Sequence, residues 1–176
     1  MPSAVVTSTN SGIGHTFAQT PIKESYKVIA TDITIGDKLK RLDFSIQAFK
    51  HRFKDDPLDL LLNIGGVMSP TEQDALETVD EKILAGAFSV NTFGPILLTQ
   101  ALLPNLLKSN SPRLEVMSSR VGSIGDNSTA ALNSIFKSVA VDLKDKGVVV
   151  VIMHPEFVKT SLDPSTHALK EAVEPS

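Results

Sequence analysis

Cysteine is absent from the 176-residue sequence, which excludes a disulfide framework, a thiolate metal site and a cysteine nucleophile. Tryptophan is absent too, tyrosine occurs once, at Tyr26, and aromatics make up only 5% of the residues. There is no large excess of either charge, and a net charge of -3 argues against electrostatic capture of nucleic acid. Ahead of the first apolar run at Ala4 there is no room for a charged segment and an apolar stretch of secretory length, and the longest apolar runs are strand-sized. The expectation is a cytoplasmic protein with no nucleic-acid partner and no membrane partner. What remains is ordinary globular chemistry, 41% hydrophobic and 21% charged, with length for one domain and a substantial core. No internal repeat or low-complexity segment is present.

The stretch that organises the chain is Ala4-Val5-Val6-Thr7-Ser8-Thr9-Asn10-Ser11-Gly12-Ile13-Gly14. An apolar run gives way to small polar residues and then to Gly-Ile-Gly, after which His15 to Lys23 reads as a helix. This is the pattern of a strand, a phosphate loop and a helix start, where glycines let the backbone approach a pyrophosphate and the helix N-terminus offers N–H groups to it. An ordinary tight turn would look the same. A second strand over Ser25 to Thr31 ends in Asp32, 18 residues beyond Gly14. An acid so placed accepts from an adenosine ribose and repels a 2′-phosphate, favouring NAD over NADP; it also reads as a solvated strand-end carboxylate.

Between Asp32 and Asp43 the chain is too short for a helical crossover, so the third strand is expected to be shortened or missing. Ile46, Phe49 and Phe53 mark an amphipathic helix, and Leu58 to Leu62 a buried strand stopped by Asn63-Ile64-Gly65-Gly66. Asp80 to Lys108 reads as a long helix, kinked or in two parts around Gly94-Pro95, with Ile96, Leu97, Leu103 and Leu107 on an apolar face wide enough for a core and a partner subunit. Arg113 to Met117 is a strand delivering Ser118-Ser119 to the edge where ligands of open α/β sheets bind. Ser128 to Lys144 is helical, with Leu132, Ile135, Val139 and Leu143 on one stripe and Gly147 closing it. Val148 to Met153 reads as a strand buried on both faces, opening into His154-Pro155. Residues 1–160 are expected to form one dinucleotide-binding domain, followed by a polar tail over 161–176.

Taken together these motifs resemble the short-chain dehydrogenase/reductase family, in particular its small C-factor-like and fungal ketoreductase-like members. The family's Thr-Gly-x-x-x-Gly-x-Gly loop is similar to Thr7 to Gly14, its Asn-Asn-Ala-Gly strand end to Asn63-Ile64-Gly65-Gly66, and its Ser-Lys-Ala-Ala-Leu-Asn segment to Ser128-Thr129-Ala130-Ala131-Leu132-Asn133. His154-Pro155 to Thr160 resembles the family's His-Pro-Gly-x-x-x-Thr. The resemblance implies an α/β, Rossmann-like doubly wound parallel sheet with fewer strands than usual, the third shortened and the last missing. It assigns Ser119 and Asn91 to the catalytic site. It places NAD, with NADP disfavoured by Asp32, against Thr7, Ser11, Gly12, Ile13, Gly14, Asp32, Asp43, Asn63, Gly65, Val158 and Thr160. A small-molecule carbonyl or alcohol substrate and a homodimer through the two long helices follow from the same resemblance, and no metal is expected.

The departures bear directly on activity. Family members place Tyr and Lys four residues apart on the helix after the serine, the ammonium lowering the phenol's pKa so that it can exchange a proton with the substrate oxygen. Here those positions hold Gly125 and Thr129. Tyr26 is expected to lie too far from Ser119 to substitute, and Lys137 falls two helical turns beyond Thr129. His15 is read as a surface residue and His154 as structural. Ser8 replaces the first loop glycine, and Glu156 replaces the glycine after Pro155, bringing a carboxylate toward the nicotinamide position. Three readings follow: an impaired NAD(P)-linked oxidoreductase, a catalytically inactive binding and dimerisation module, or a truncated gene product.

Overall fold

A computed structural model of the chain describes residues 1–10, 12–32, 46–68, 72, 76–119, 130–156, 158–159, 167–168 and 170–173. Ser11, Asp43, Gly125, Thr129 and Thr160, all singled out above, lie outside them. Five strands are formed: β1 (Ser3–Thr7), β2 (Lys27–Thr31), β3 (Leu60–Asn63), β4 (Arg113–Met117) and β5 (Val149–Met153). They make one sheet, all parallel, in the order β2-β1-β3-β4-β5. Five α-helices connect them: α1 (Gly12–Lys23), α2 (Ile46–Phe53), α3 (Glu81–Phe88), α4 (Gly94–Leu106) and α5 (Ala130–Leu143). The sheet is the reduced doubly wound one expected.

Alternation along the strands divides the core in two. Val5, Leu61, Leu114 and Val116 point to one face, where Leu102, Leu106, Leu132, Phe136 and Leu143 pack on them, with Phe53 and Leu58 closing one end. Ala4, Val6, Leu60 and Leu62 point to the other, beneath Ala18 and Phe17 of α1. Each fully buried leucine or phenylalanine contributes roughly 2 kcal/mol, so the two-sided burial of β1 and β3 explains why both are unbroken apolar runs.

The helix expected over Asp80 to Lys108 is in two parts. Asp80 caps α3, its Oδ1 accepting from the Ile83 N–H at 2.8 Å, and a π-helical turn over Ser89–Phe93 joins α3 to α4. The irregularity therefore precedes Gly94-Pro95, and Pro95 directly follows the π-helical turn. Glu81–Leu106 is the one described helical stretch long and apolar enough to cross a membrane by length and composition; 17% of its apolar window is buried.

The expectation that β5 is buried on both faces is corrected. Val149, Val151 and Ile152 are exposed, and only Val150 packs on the larger core. A strand's burial depends on its neighbours, and among the described strands β5 pairs with β4 alone. Past β5 the chain turns back: the Lys159 N–H donates to the Val173 carbonyl at 2.9 Å, Val158 bridges Val173, and Ala172 is buried.

Candidate active site

Sheet order puts the switch point between β1 and β3, because the chain leaves β1 for β2 on one side and returns to β3 on the other. The carboxyl ends of these strands are tied together by one side chain. Thr7 Oγ1 accepts from the Ile64 N–H at 2.8 Å and from the Gly65 N–H at 3.0 Å, so both of its lone pairs serve the opposite strand end. Beneath them Asn63 is buried and its Nδ2 donates to Thr99 Oγ1 at 3.4 Å. Thr7, Asn63 and Gly65 are thus brought together at the crevice.

The loop from Thr7 into α1 is tightly wound. Ser8 has φ 60° and Gly12 φ 56°, both left-handed. A Cβ on Gly14 would lie 1.9 Å from the Ser8 carbonyl oxygen, so only glycine lets the first turn of α1 pack under the loop. Ser8 keeps the backbone conformation that glycine adopts freely, at a cost of roughly 1 kcal/mol. Gly12, Ile13 and Gly14 lie in that first turn, whose N–H groups have no partner within the helix. At the end of β2, Asp32 Oδ2 accepts from the Asn10 N–H at 2.8 Å, and Thr9 N–H and Oγ1 both reach the Thr31 carbonyl at 3.2 Å.

Ser119 follows β4 at the same edge and is partly exposed. Its neighbour Ser118 is buried and held twice: its N–H donates to the Met153 carbonyl at 2.8 Å and its Oγ to Asn133 Oδ1 at 2.7 Å. Sequence reading missed this pair; polar residues at the end of β4 and in the second turn of α5 were the available signal. Asn91, inside the π-helical turn, clasps one residue of the loop after β3. Its Oδ1 accepts from the Val67 N–H and its Nδ2 donates to the Val67 carbonyl, both at 2.8 Å. The Asn91 side chain therefore anchors that loop.

Glu156 has φ 60°, so that, like Ser8, Ser25 and Lys54, it occupies a backbone conformation that glycine favours, and its carboxylate stands 3.9 Å from His154 Nε2. Val158 lies in the bridge to Val173. Tyr26 precedes β2 at the amino end of the sheet, opposite Ser119, and its hydroxyl accepts from the Arg113 guanidinium at 2.7 Å. Lys137 is exposed on α5. Among the described residues no three metal-ligating side chains gather. On β4, burial beside Leu62 and Val151 pushes the Glu115 carboxyl up, partly opposed by Arg113.

Thr7, Asn63 and Gly65 thus meet beside the glycine turn into α1, and Ser119 follows β4 on the same edge of the sheet. Comparison with known proteins agrees. Residues 37–170 match the family model described as short chain dehydrogenase. The chain is 34% identical over 127 residues to the C-signal protein of Myxococcus xanthus, covering 66% of this chain and 75% of that one. It is 26% identical over 186 residues to 1-hydroxy-2-glutathionyl-2-methyl-3-butene dehydrogenase of Rhodococcus, covering 92% and 80%. The fold matches that of NADPH-bound carbonyl reductase from chicken fatty liver with a TM-score of 0.80 at 24% identity, covering 99% of this chain and 86% of that one. The chain belongs to the short-chain dehydrogenase/reductase family.

Proposed function

We propose that this chain binds a nicotinamide dinucleotide along the β1–β3 crevice and interconverts a small carbonyl compound and its alcohol at a low rate. The observation that carries the reading is the Thr7 tether, which holds the two strand ends in fixed register beside the glycine turn into α1. The residues fit the group at its phosphate end, because Gly14 leaves the loop packed against the helix start, where Gly12, Ile13 and Gly14 offer backbone N–H groups to an anion. Asp32 supports NAD over NADP, a carboxylate at the end of β2 being repelled by a 2′-phosphate.

When bound, the dinucleotide supplies or accepts hydride. The chain's own contribution is Ser119, read as the hydrogen-bond partner of the substrate oxygen; the reading is supported by its place after Ser118, which two bonds hold at the end of β4. Asn91 keeps the loop after β3 in place beside the crevice. The sequence offers neither phenol nor ammonium at Gly125 and Thr129, so the family's proton-transfer pair is missing. General acid–base catalysis is typically worth 10²- to 10⁴-fold, and the rate falls accordingly.

The test is direct titration of the chain with NADH and NADPH, followed at the nicotinamide fluorescence, then oxidation of bound NADH by a panel of ketones. Saturable binding with slow turnover supports the reading. Binding with no turnover above background leaves a family offshoot that only binds, and no binding to either dinucleotide overturns both.

A second reading, self-association as the main role, is favoured by one observation. Leu84, Phe88, Phe93 and Leu97 on α3, the π-helical turn and α4 are each exposed by two-fifths or more, and the rings of Phe88 and Phe93 lie 6.3 Å apart. Apolar side chains clustered on one helical face commonly mark an interface. Sedimentation at micromolar concentration would show a dimer, and a strict monomer removes this reading.

A further inference from the structure

One peptide unit in the glycine-rich loop is held on both of its polar sides. The Thr9 carbonyl oxygen is bonded to His15 Nδ1 at 3.2 Å, and the Asn10 N–H of the same peptide donates to Asp32 Oδ2 at 2.8 Å. In a trans peptide the C=O and N–H point in opposite directions, so His15 and Asp32 grip the plane from opposite sides. A carbonyl oxygen can only accept, so Nδ1 donates to it, and in the neutral imidazole Nε2 is then left to accept. It accepts from the Gln19 side-chain amide at 3.0 Å, one helical turn further along α1. The line Gln19, His15, the 9–10 peptide, Asp32 runs unbroken from the outer face of α1 to the acid at the end of β2, and bonds in such a line polarise one another.

Thr9 N–H and Oγ1 both meet the Thr31 carbonyl, which fixes Thr9 itself to β2. His15 holds the carbonyl side of the same peptide whose N–H faces the Asp32 carboxylate. A carboxylate distinguishes a ribose hydroxyl from a phosphate by where its charge is placed, so whatever fixes its rotamer also fixes the discrimination.

We propose that His15 is a positioning residue for Asp32, and that the two act through the 9–10 peptide as one determinant of selectivity at the 2′ position of the adenosine ribose. This rests on the dinucleotide reading above. His15 acts from α1 without touching the ribose itself, and Gln19 supports it by fixing the imidazole tautomer.

The test is calorimetric titration of the full chain with NAD⁺ and NADP⁺ separately, which reads dissociation constants without turnover. His15→Ala narrows the ratio of the two constants by about 5-fold, the size of one lost hydrogen bond. His15→Asn, whose side-chain amide can donate to the Thr9 carbonyl, restores most of the ratio. Asp32→Asn narrows it further, and adding His15→Ala to Asp32→Asn changes nothing more, because the determinant is already gone. Gln19→Leu, which leaves the loop untouched, narrows the ratio in the same direction by a smaller factor and serves if His15→Ala does not fold. An unchanged ratio in both His15→Ala and Gln19→Leu, or an effect of His15→Ala that multiplies fully with Asp32→Asn, overturns the inference while leaving the dinucleotide reading standing. A wild-type chain that binds neither dinucleotide overturns both.

Discussion

The crevice above β1 and β3 and the edge beyond β4 and β5 belong to one sheet but are built differently. At the crevice β1 and β3 are flanked on both sides, and polar groups are bonded to backbone: Thr7 to Ile64 and Gly65, Asn91 to Val67 and, at the end of the outer strand β2, Asp32 to Asn10. At the far edge β5 has exposed valines and a single pairing partner among the described strands. At the crevice, bonds join one strand end to another, whereas at the far edge the outer strand has no second neighbour among the described strands.

Substitutions can break or sharpen that contrast. The largest effect is expected for Gly14→Ala, whose Cβ would sit 1.9 Å from the Ser8 carbonyl oxygen, a clash with backbone that no rotamer relieves. Urea denaturation should show a loss of about 3 kcal/mol, with dinucleotide binding abolished. Thr7→Val keeps the shape but strips two N–H groups of their acceptor, and should cost about 2 kcal/mol in the same assay. Ser118→Ala removes one side-chain bond at the looser edge and should cost about 1 kcal/mol. If Ser118→Ala proves as costly as Thr7→Val, the contrast between the two halves is lost.

Smaller effects come from the strained and titratable positions. Ser8→Gly and Glu156→Gly each relieve left-handed strain of roughly 1–2 kcal/mol, but glycine also loosens the unfolded chain by roughly 0.4–1 kcal/mol. A net gain of about 0.5 kcal/mol is expected for each, read as a modest rise in Tm. Glu115 gives a pH signature. Burial raises its pKa, so the folded chain keeps the proton over a range where the unfolded chain has released it. Stability therefore declines as pH rises from the ordinary carboxylate range and levels off once Glu115 is ionised in both states. Glu115→Gln should flatten that part of the stability profile, and an unchanged profile would show that the carboxyl is effectively solvated.

Most of the fold was legible because its signals are local. Ala4-Val5-Val6, Leu60-Leu61-Leu62 and Leu114 with Val116 are apolar runs that a parallel sheet requires, and Gly147, at φ 73°, ends the last helix as read. The exposure of β5 was not legible, since Val148 to Met153 carries the same residues whether or not another strand lies beside it. Long-range polar bonds were equally silent. Asn105, buried on α4, donates to the Lys54 and Asp56 carbonyls at 2.9 and 2.7 Å, and no periodicity announces a side chain reaching back fifty residues. At the site, glycine spacing pointed to the loop. That His15, a surface residue in sequence terms, would share a peptide with Asp32 depends on the turn between them, which sequence spacing does not specify.

The engagement of Tyr26 with Arg113 has a practical consequence. With no tryptophan in the chain, its ultraviolet emission originates from a single ring at the amino end of the strands, hydrogen-bonded to a guanidinium. That glow is a reporter of the sheet's floor: it will follow unfolding faithfully and stay nearly blind to events at the opposite rim. Quenching seen on adding a dinucleotide would then signal energy transfer or light absorption by the added compound, not a rearrangement around the ring.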